Sequence, residues 1–324
     1  MKITDPIEIT SIESFEKNKP DDFFICCGSP ESRCIGAIKK FSPSYKPKIV
    51  LLLKYTNHIS QKREENIKKM KDKLEKVTKI VEISLDEENP IPMINNIIEN
   101  IDQYSNNIKP TITLDISTII KWHLLIFLKA LEMKRFFEKI RILYTEPKDY
   151  ITDLFQPLSF GINQIFPIPT FSRDYDFSKQ ILLILILGYE GNRALALLED
   201  MDPTESLLLI ARPAYHKEWE GRTEQMNSEI INIVGKSKIK YIDSRNPVLI
   251  SRQLFDILSN PQYSNYNHII SPLGTKPQTL GLYLYVSSKR NNATLIYGSP
   301  SRHNEPFYSH GIGRSWILPF YKIN

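Results

Sequence analysis

The sequence has few of the residues that build metal and disulfide sites. Only three of its 324 residues are cysteines, Cys26, Cys27 and Cys34, and all lie in one short segment. No CxxC pair, Cys/His spacing or HExxH motif occurs, so the common metal-site motifs are excluded, and we predict no metal and no cofactor. The three thiols are expected to be reduced, as in a cytoplasmic protein.

Long apolar segments and a strong charge excess are also missing. The apolar runs, such as residues 181–187, are far shorter than the stretch of about 20 residues needed to span a bilayer, and residues 1–6 lack a signal-peptide pattern. We therefore expect a cytoplasmic protein with no membrane partner. The 42 basic and 37 acidic residues give a net charge of +5, which does not indicate nucleic acid as a partner, although it does not exclude one.

The sequence does contain a regular alternation of strand and helix patterns. Continuous apolar runs are typical of strands buried in a parallel sheet, and parallel strands need crossover helices. The predicted strands are residues 23–27, 48–53, 79–84, 111–116, 140–144, 181–187, 206–210, 239–242, 268–270 and 294–297. The predicted helices are residues 61–77, 92–102, 119–133, 192–200, 223–234, 247–259 and 275–286. This pattern predicts an α/β fold with two tandem Rossmann-like, doubly wound parallel-sheet units.

The two halves repeat a motif about 160 residues apart, which indicates internal duplication. One predicted strand runs into Gly28 and another into Gly188, and an arginine follows each glycine at the same spacing, Arg33 or Arg193. The later strands and helices keep the same order in both halves. The expected divisions are unit 1 at 1–148, a connection at 149–180, and unit 2 with the C-terminal tail at 181–324.

Unit 1 is the plainer half and is expected to be mainly a scaffold. Ligands collect at the carboxyl ends of the strands in such sheets, and in unit 2 the segments that follow the strands are rich in polar and cationic residues. The candidate ligand-binding residues are Gly188, Glu190, Arg193, Arg212, Trp219, Arg222, Gly274, Thr275, Lys276 and Arg302. Four of these are expected to surround one hollow: Arg193, Arg212, Lys276 and Arg302. Secondary candidates in unit 1 are Ser29, Arg33, Asp115 and Ser117.

Each candidate also has a purely structural explanation. Thr275 can cap a helix whose first amides and Lys276 hold a phosphate, but the same residues suit an ordinary capped helix with a surface lysine. Gly188 and Gly191 form GxxG rather than the dinucleotide motif GxGxxG, and a tight turn explains them equally well. Arg193 can bind an anion in a bidentate manner or form an internal ion pair.

The segment 212–224 and the histidines leave similar alternatives open. Trp219 could stack on a base while Arg212 or Arg222 holds an anion, or Trp219 could be the buried anchor of a solvated loop. Three histidines are candidates for a general acid or base, although lone histidines are more often only hydrogen-bonded: His216, His303 and His310. No Ser-His-Asp order or paired-carboxylate signature is present. The tail at 316–321 is expected to be an edge strand or a docking segment.

The segment 270–281, ISPLGTKPQTLG, resembles the Gly-Thr-Lys-Pro turn of CRISPR-associated Rossmann-fold (CARF) sensor domains, and LDIST at 114–118 is similar to a degraded form of that turn. Two such units are similar to tandem CARF and SAVED domains, which bind cyclic oligonucleotides. The resemblance implies that Thr275 and Lys276 lie near a ligand phosphate and that Ser29 and Glu190 lie near the ligand. The chain departs from this pattern because no region remains for an effector and the first unit lacks the Gly-Lys pair.

Three functions remain open from the sequence. The first is a nucleotide-like or phosphate-containing ligand-binding sensor, which the resemblance places in a bacterial antiphage defence system, acting through a separate partner protein. The second is an enzyme of nucleotide or phosphodiester chemistry, such as a ring nuclease or hydrolase. The third is a non-catalytic assembly subunit, because fold alone does not decide function.

Overall fold

The computed structural model describes residues 3–16, 18–57, 59–76, 78–105, 109–150, 158–288, 293–304 and 309–321. The chain forms two compact units. The first unit consists of Pro6–Ile151 and Ser309–Phe320, and the second unit consists of Met1–Asp5, Thr152–Tyr308 and Tyr321–Asn324. In the described ranges, no helix is both long and apolar enough to cross a membrane.

The secondary structure of the described residues alternates between strands and helices. The strands are β1 (Ile7–Glu8), β2 (Phe23–Gly28), β3 (Ile49–Tyr55), β4 (Lys79–Leu85), β5 (Ile112–Asp115), β6 (Ile140–Thr145), β7 (Asp149–Tyr150), β8 (Ser159–Phe160), β9 (Gln164–Pro167), β10 (Gln180–Ile186), β11 (Glu205–Ala211), β12 (Ile239–Ile242), β13 (Tyr266–Pro272), β14 (Thr294–Ser299), β15 (Arg302–His303), β16 (Ser309–His310) and β17 (Ser315–Leu318). The α-helices are α1 (Gln61–Leu74), α2 (Ile91–Ser105), α3 (Lys121–Met133), α4 (Gly191–Met201), α5 (Arg222–Met226), α6 (Ser228–Val234), α7 (Pro247–Leu258) and α8 (Lys276–Val286).

Both units have a Rossmann-like sheet with the same strand order. In the first unit the parallel strands β2 to β6 are arranged 3-2-1-4-5, and the antiparallel strand β17 lies beside β6. In the second unit the parallel strands β10 to β14 have the same order, and the antiparallel strand β9 lies beside β14. The predicted fold class is therefore confirmed, and the shared order agrees with the predicted duplication.

Local sequence explains most of these elements. Every residue of β2 is buried, as the continuous apolar run requires for a central parallel strand. Helix α1 begins after Ser60, whose side chain accepts a hydrogen bond from the Arg63 backbone N–H, and it buries Ile67, Met70 and Leu74 on one face. One element differs from the prediction in form, because the predicted helix 223–234 is divided into α5 and α6. Two short 3₁₀ helices, Ser32–Ile35 and Ile38–Lys40, follow β2.

Each unit has its own apolar core between the sheet and its helices. In the first unit, Phe24 and Leu52 of the sheet pack with Met70 of α1. In the second unit, Leu185 of β10 packs with Leu197 of α4. These cores fix the positions of the turns that leave β2 and β10, and those turns carry the candidate site residues.

The C-terminal tail and the predicted connection supply strands to the two sheets in a way that the sequence did not predict. The sequence placed all of the tail with the second unit, but in the structure β17 pairs with β6 in the first unit, and Trp316 lies opposite Tyr144. The connection does not only link the units, because β8 and β9 within it belong to the second unit, where Phe166 lies opposite Tyr297. An apolar strand pattern identifies a strand but not the sheet edge that it joins. Residues 151–157 of the predicted connection lie outside the described residues.

The two segments that add these antiparallel strands are themselves a repeat. Residues 159–162 read SFGI and residues 309–312 read SHGI, about 150 residues later. Gly161 and Gly311 both have a positive φ, of 56° and 68°, which glycine adopts without strain. We call residues 158–168 the second-unit strap and residues 309–318 the first-unit strap. Each strap supplies its unit with a serine and an antiparallel strand.

Candidate functional site

The second unit contains a cavity of about 390 Å³ beside the turn between β10 and α4. Its wall is formed by the start of α4, the start of α6 and one residue of the second-unit strap. The lining residues are Ser159, Tyr189, Glu190, Gly191, Asn192, Arg193, Gln225, Met226, Asn227, Ser228, Glu229 and Ile230. We call this space the α4 cavity. Glu190 and Arg193 are the two predicted ligand-binding residues in its wall.

Glu190 and Arg193 form a buried ion pair. Arg193 Nη1 donates to Glu190 Oε2 at 2.6 Å, and the Arg193 side chain is only 4% exposed. Arg193 Nη2 donates to the Gly298 carbonyl at 2.5 Å, and the guanidinium lies 5.1 Å from the centre of the Tyr297 ring. Ser159 Oγ donates to the other Glu190 oxygen, Oε1, at 2.6 Å. The internal ion-pair interpretation of Arg193 therefore holds, and its charge is balanced within the wall.

The first unit repeats this arrangement. Arg33 donates to Glu31 through Nε at 2.9 Å and Nη2 at 3.0 Å, and both residues are buried. Ser309 of the first-unit strap donates to Glu31 Oε2. The Arg33 guanidinium lies 6.0 Å from the centre of the Tyr144 ring, on the strand equivalent to that of Tyr297. Burial alone would lower the pKa of Arg33, but the Glu31 carboxylate raises it above its ordinary value.

In each unit an asparagine side chain is hydrogen-bonded to the turn that follows the first parallel strand, β2 or β10. Asn227 Nδ2 donates to the carbonyls of Gly188 and Thr223, both at 2.7 Å. Because a carbonyl can only accept, these bonds fix the amide orientation, and Oδ1 is the acceptor. Asn227 is 1% exposed, and its Oδ1 has no hydrogen-bond partner among the described residues. In the first unit, Asn66 Nδ2 donates to Ser29 O at 2.9 Å in the same way.

The glycines near the site permit close backbone packing. A Cβ added to Gly188 would overlap the Leu273 carbonyl oxygen, and one added to Gly191 would overlap the Met226 carbonyl oxygen. A Cβ on Gly274 would overlap the Gln278 side chain and lie 2.9 Å from Ile186. The structural explanation of the GxxG turn therefore accounts for both of its glycines, since each lets one backbone segment lie directly on another.

The segment that carries the CARF resemblance is a well-capped helix start. Thr275 Oγ1 accepts from the Gln278 N–H at 3.2 Å and donates to the Ser244 carbonyl at 3.1 Å. Gln278 Oε1 in return accepts from the Thr275 N–H at 2.9 Å, which completes a capping box. Thr275 and Lys276 do not line the α4 cavity as described. The prediction that Thr275 caps a helix is confirmed.

Arginine–aromatic pairs occupy the loop after β11. Trp219 is 7% exposed and is therefore the buried anchor of this loop, with the His216 ring 4.3 Å away between centroids. The Arg222 guanidinium lies 4.9 Å from the centre of the Tyr189 ring and 5.9 Å from that of Trp219. Tyr189 lines the α4 cavity, whereas Arg222 is not among its described lining residues.

Of the four predicted cations, only Arg193 is among the described lining residues of the α4 cavity. Arg193 lines the α4 cavity, whereas Arg212 stacks on Tyr241 at 3.8 Å and pairs with Glu224 at 3.3 Å. Lys276 is the first residue of α8 and lies outside the described cavity wall. Arg302 is in β15, and its side chain is outside the described part of the structure. Sequence position at a strand end did not specify the direction of these long side chains.

The remaining candidates are also separated. Among the histidines, His216 lies against Trp219, His310 is exposed in the first-unit strap, and the side chain of His303 is outside the described part. In the first unit, Ser117 donates to Asp115 Oδ1 through its backbone N–H at 2.9 Å and through its hydroxyl. Ser29 Oγ accepts from the Glu31 N–H at 3.2 Å. Within the described ranges, no cluster of three or more His, Cys, Asp or Glu residues is arranged to hold a metal ion.

Several residues of the site were not predicted. They are Ser159, Asn227 and their first-unit counterparts Ser309 and Asn66, and the two asparagines have no local motif of their own. The repeated Ser-x-Gly-Ile sequence could have identified the two serines, but its spacing differs from that of the Gly-Arg repeat. Comparison with known proteins adds no relative, since no family model and no curated protein matches the chain.

Proposed function

We propose that the protein is a sensor whose second unit binds a small, nucleotide-like ligand with a phosphate group in the α4 cavity. The observation that carries the proposal is the N-terminus of α4 in the wall of the α4 cavity, with the polar residues Asn192 and Ser228 beside it.

The position and size of the cavity support the proposal. It lies at the carboxyl end of the first strand in a 3-2-1-4-5 sheet, where Rossmann-like units bind nucleotides. Its volume of about 390 Å³ lies in the usual range for small-molecule sites, about 300–1,000 Å³, and suits a single nucleotide better than a large cyclic oligonucleotide.

The charges around the cavity favour a ligand that has an anionic group at one end and hydrogen-bond donors at the other. The N-terminus of α4 carries a partial positive charge, which suits a phosphate. Glu190 does not repel it strongly because Arg193 balances its charge. The exposed Glu229 carboxylate offers acceptors, which suit hydroxyl or amino groups of a nucleoside. The Tyr189 ring adds an aromatic surface for a base.

Binding is a better explanation of this geometry than catalysis. Neither His216 nor His310 is among the described lining residues of the α4 cavity. The role in bacterial antiviral defence, and the separate effector protein through which the sensor acts, rest on the CARF-like sequence turn alone.

A thermal-shift panel tests the proposal. The panel contains the four ribonucleoside 5′-monophosphates and inorganic phosphate. A binding nucleotide at 100 times its Kd should stabilise the second unit by about 2.7 kcal/mol and raise its melting temperature. Ser228→Trp, which fills the cavity from an exposed lining position, should abolish the shift, and Asn265→Trp, at an exposed position outside the lining, should retain it. No shift for any nucleotide, or an equal shift in Ser228→Trp, would contradict the proposal.

A further inference from the structure

We infer that Ser159 is a positioning residue of the α4 cavity, which acts on the ligand through the Glu190 carboxylate. This inference rests on the proposed function. Ser159 is 31 residues before Glu190 in the chain and reaches it because the second-unit strap lies along the sheet edge. Both residues line the cavity, so the strap forms part of the ligand site and is more than a connection between units.

The geometry explains why the serine is needed. Glu190 is the residue before α4, but its side chain makes no capping bond to the helix. Its carboxylate is instead held at two points, by Arg193 on Oε2 and by Ser159 on Oε1. Two donors on different oxygens fix both the position and the rotation of a carboxylate, whereas one donor leaves it free to turn. Ser159 therefore sets the direction in which Glu190 faces a ligand.

The molecule provides a matched control for this role. Ser309 and Ser159 each donate to a carboxylate that is paired with an arginine, and each serine is nine-tenths or more buried. In the first unit Arg33 holds both Glu31 oxygens and Ser309 shares Oε2, whereas Ser159 and Arg193 hold different oxygens of Glu190. Ser309 is in the first unit and does not line the α4 cavity. Removal of either hydroxyl should thus have a similar structural cost, but only the loss at Ser159 should change ligand affinity.

The experiment compares four proteins by isothermal titration with the ribonucleoside monophosphate that stabilises the wild type most. Ser159→Ala should weaken binding about tenfold, which corresponds to one charge-assisted hydrogen bond. Ser309→Ala should bind as the wild type does, although its melting temperature falls to a similar extent. Ser159→Thr keeps the hydroxyl and should restore affinity to within about twofold of the wild type.

The outcomes separate the two proposals. If the wild type binds no nucleotide, the proposed function fails and this inference fails with it. If the wild type binds and Ser159→Ala binds equally well, the proposed function stands and the positioning role is overturned. Equal weakening in Ser159→Ala and Ser309→Ala would also overturn it, since the loss would then reflect general destabilisation. Weak binding of Ser159→Thr would show that the hydroxyl is not the group that matters.

Discussion

Ser309 lies 278 residues after Glu31 in the chain, yet its hydroxyl donates to the Glu31 carboxylate. The chain must therefore return to its first unit near its end, and the returning strap completes both a sheet and a buried polar cluster. The second unit obtains the equivalent serine, Ser159, from the segment that precedes it. Both units therefore contain a serine bonded to a buried carboxylate, although the strap that carries the serine follows the parallel strands of the first unit and precedes those of the second.

Ser309→Ala should lower the free energy of unfolding by about 1.5–3 kcal/mol, because it removes a hydrogen bond to a charged, buried carboxylate. Arg33 remains paired with Glu31, so the carboxylate is not left bare. Urea unfolding should show the lower midpoint, and Ser301→Ala at an exposed position is the control. An unchanged midpoint in Ser309→Ala would show that the strap is held by its strand alone.

Gly191→Ala should destabilise the second unit by about 1–3 kcal/mol, because the new methyl group overlaps the Met226 carbonyl oxygen. Alanine is a better helix former than glycine, so a loss of stability at this helix position can only come from the overlap. The control is Gly298→Ala, whose Cβ would lie 3.2 Å from the flexible end of Ile162. Thermal unfolding should show a clear loss for the first variant and a smaller change for the second. The reverse order would contradict the packing role of Gly191.

A buried histidine makes the first unit sensitive to acid. His123 Nε2 lies 3.0 Å from the Glu87 carbonyl, which can only accept, so Nε2 carries the proton. Its Nδ1 then accepts from the Tyr55 hydroxyl at 3.1 Å, and that hydroxyl accepts from the Ile120 N–H at 3.0 Å. Burial lowers the pKa of His123 to about 4 from an ordinary 6.5.

Because the folded state holds His123 neutral, the unfolded state binds more protons between these two values. Stability from this group is thus complete above pH 6.5 and is lost as the pH falls toward 4. Relative to the non-titrating His123→Gln, the wild type should lose about 2 kcal/mol of unfolding free energy between pH 7 and pH 5. Urea unfolding of both proteins at each pH measures this difference. Parallel pH dependence of the two proteins would show that His123 does not titrate as proposed.

The pattern of apolar runs was sufficient for the predicted strands and for the fold class, because strand and helix periodicity is a local property. The repeat of Gly28 and Arg33 at Gly188 and Arg193 also pointed to equivalent turns, and the structure has an ion-paired arginine in each. Here the local sequence carried enough information.

The site itself depends on contacts that local sequence does not encode. Nothing near Ser159 indicates Glu190 as its partner, and nothing near β17 indicates that it joins β6. Thr275 suited both a cap and a phosphate ligand, and only its bonds to Gln278 and Ser244 separate the two. The directions of long cationic side chains were similarly undetermined, because neighbouring carboxylates and rings such as Glu224 and Tyr241 decide them.

The three cysteine thiols should be unreactive in the folded protein. Cys26, Cys27 and Cys34 are all buried, and burial raises the pKa of Cys34 to about 12 and that of Cys26 well above its ordinary value. The thiolate is the reactive form, so little of it exists at pH 8 for Cys26 and Cys34, while burial keeps the reagent from Cys27. Iodoacetamide should label none of the three in native protein and all three in urea, as measured by mass. Rapid native labelling would contradict the packing around β2.

Native mass spectrometry of the purified protein tests the central account most directly. The account predicts that wild-type protein, desalted gently after expression in cells, carries a small adduct with the mass of a phosphate-containing nucleotide, and that Ser228→Trp lacks it while Asn265→Trp keeps it. An adduct of the same mass and occupancy in Ser228→Trp, or wild-type protein that carries none and takes up none from added nucleotides, would contradict ligand binding in the α4 cavity.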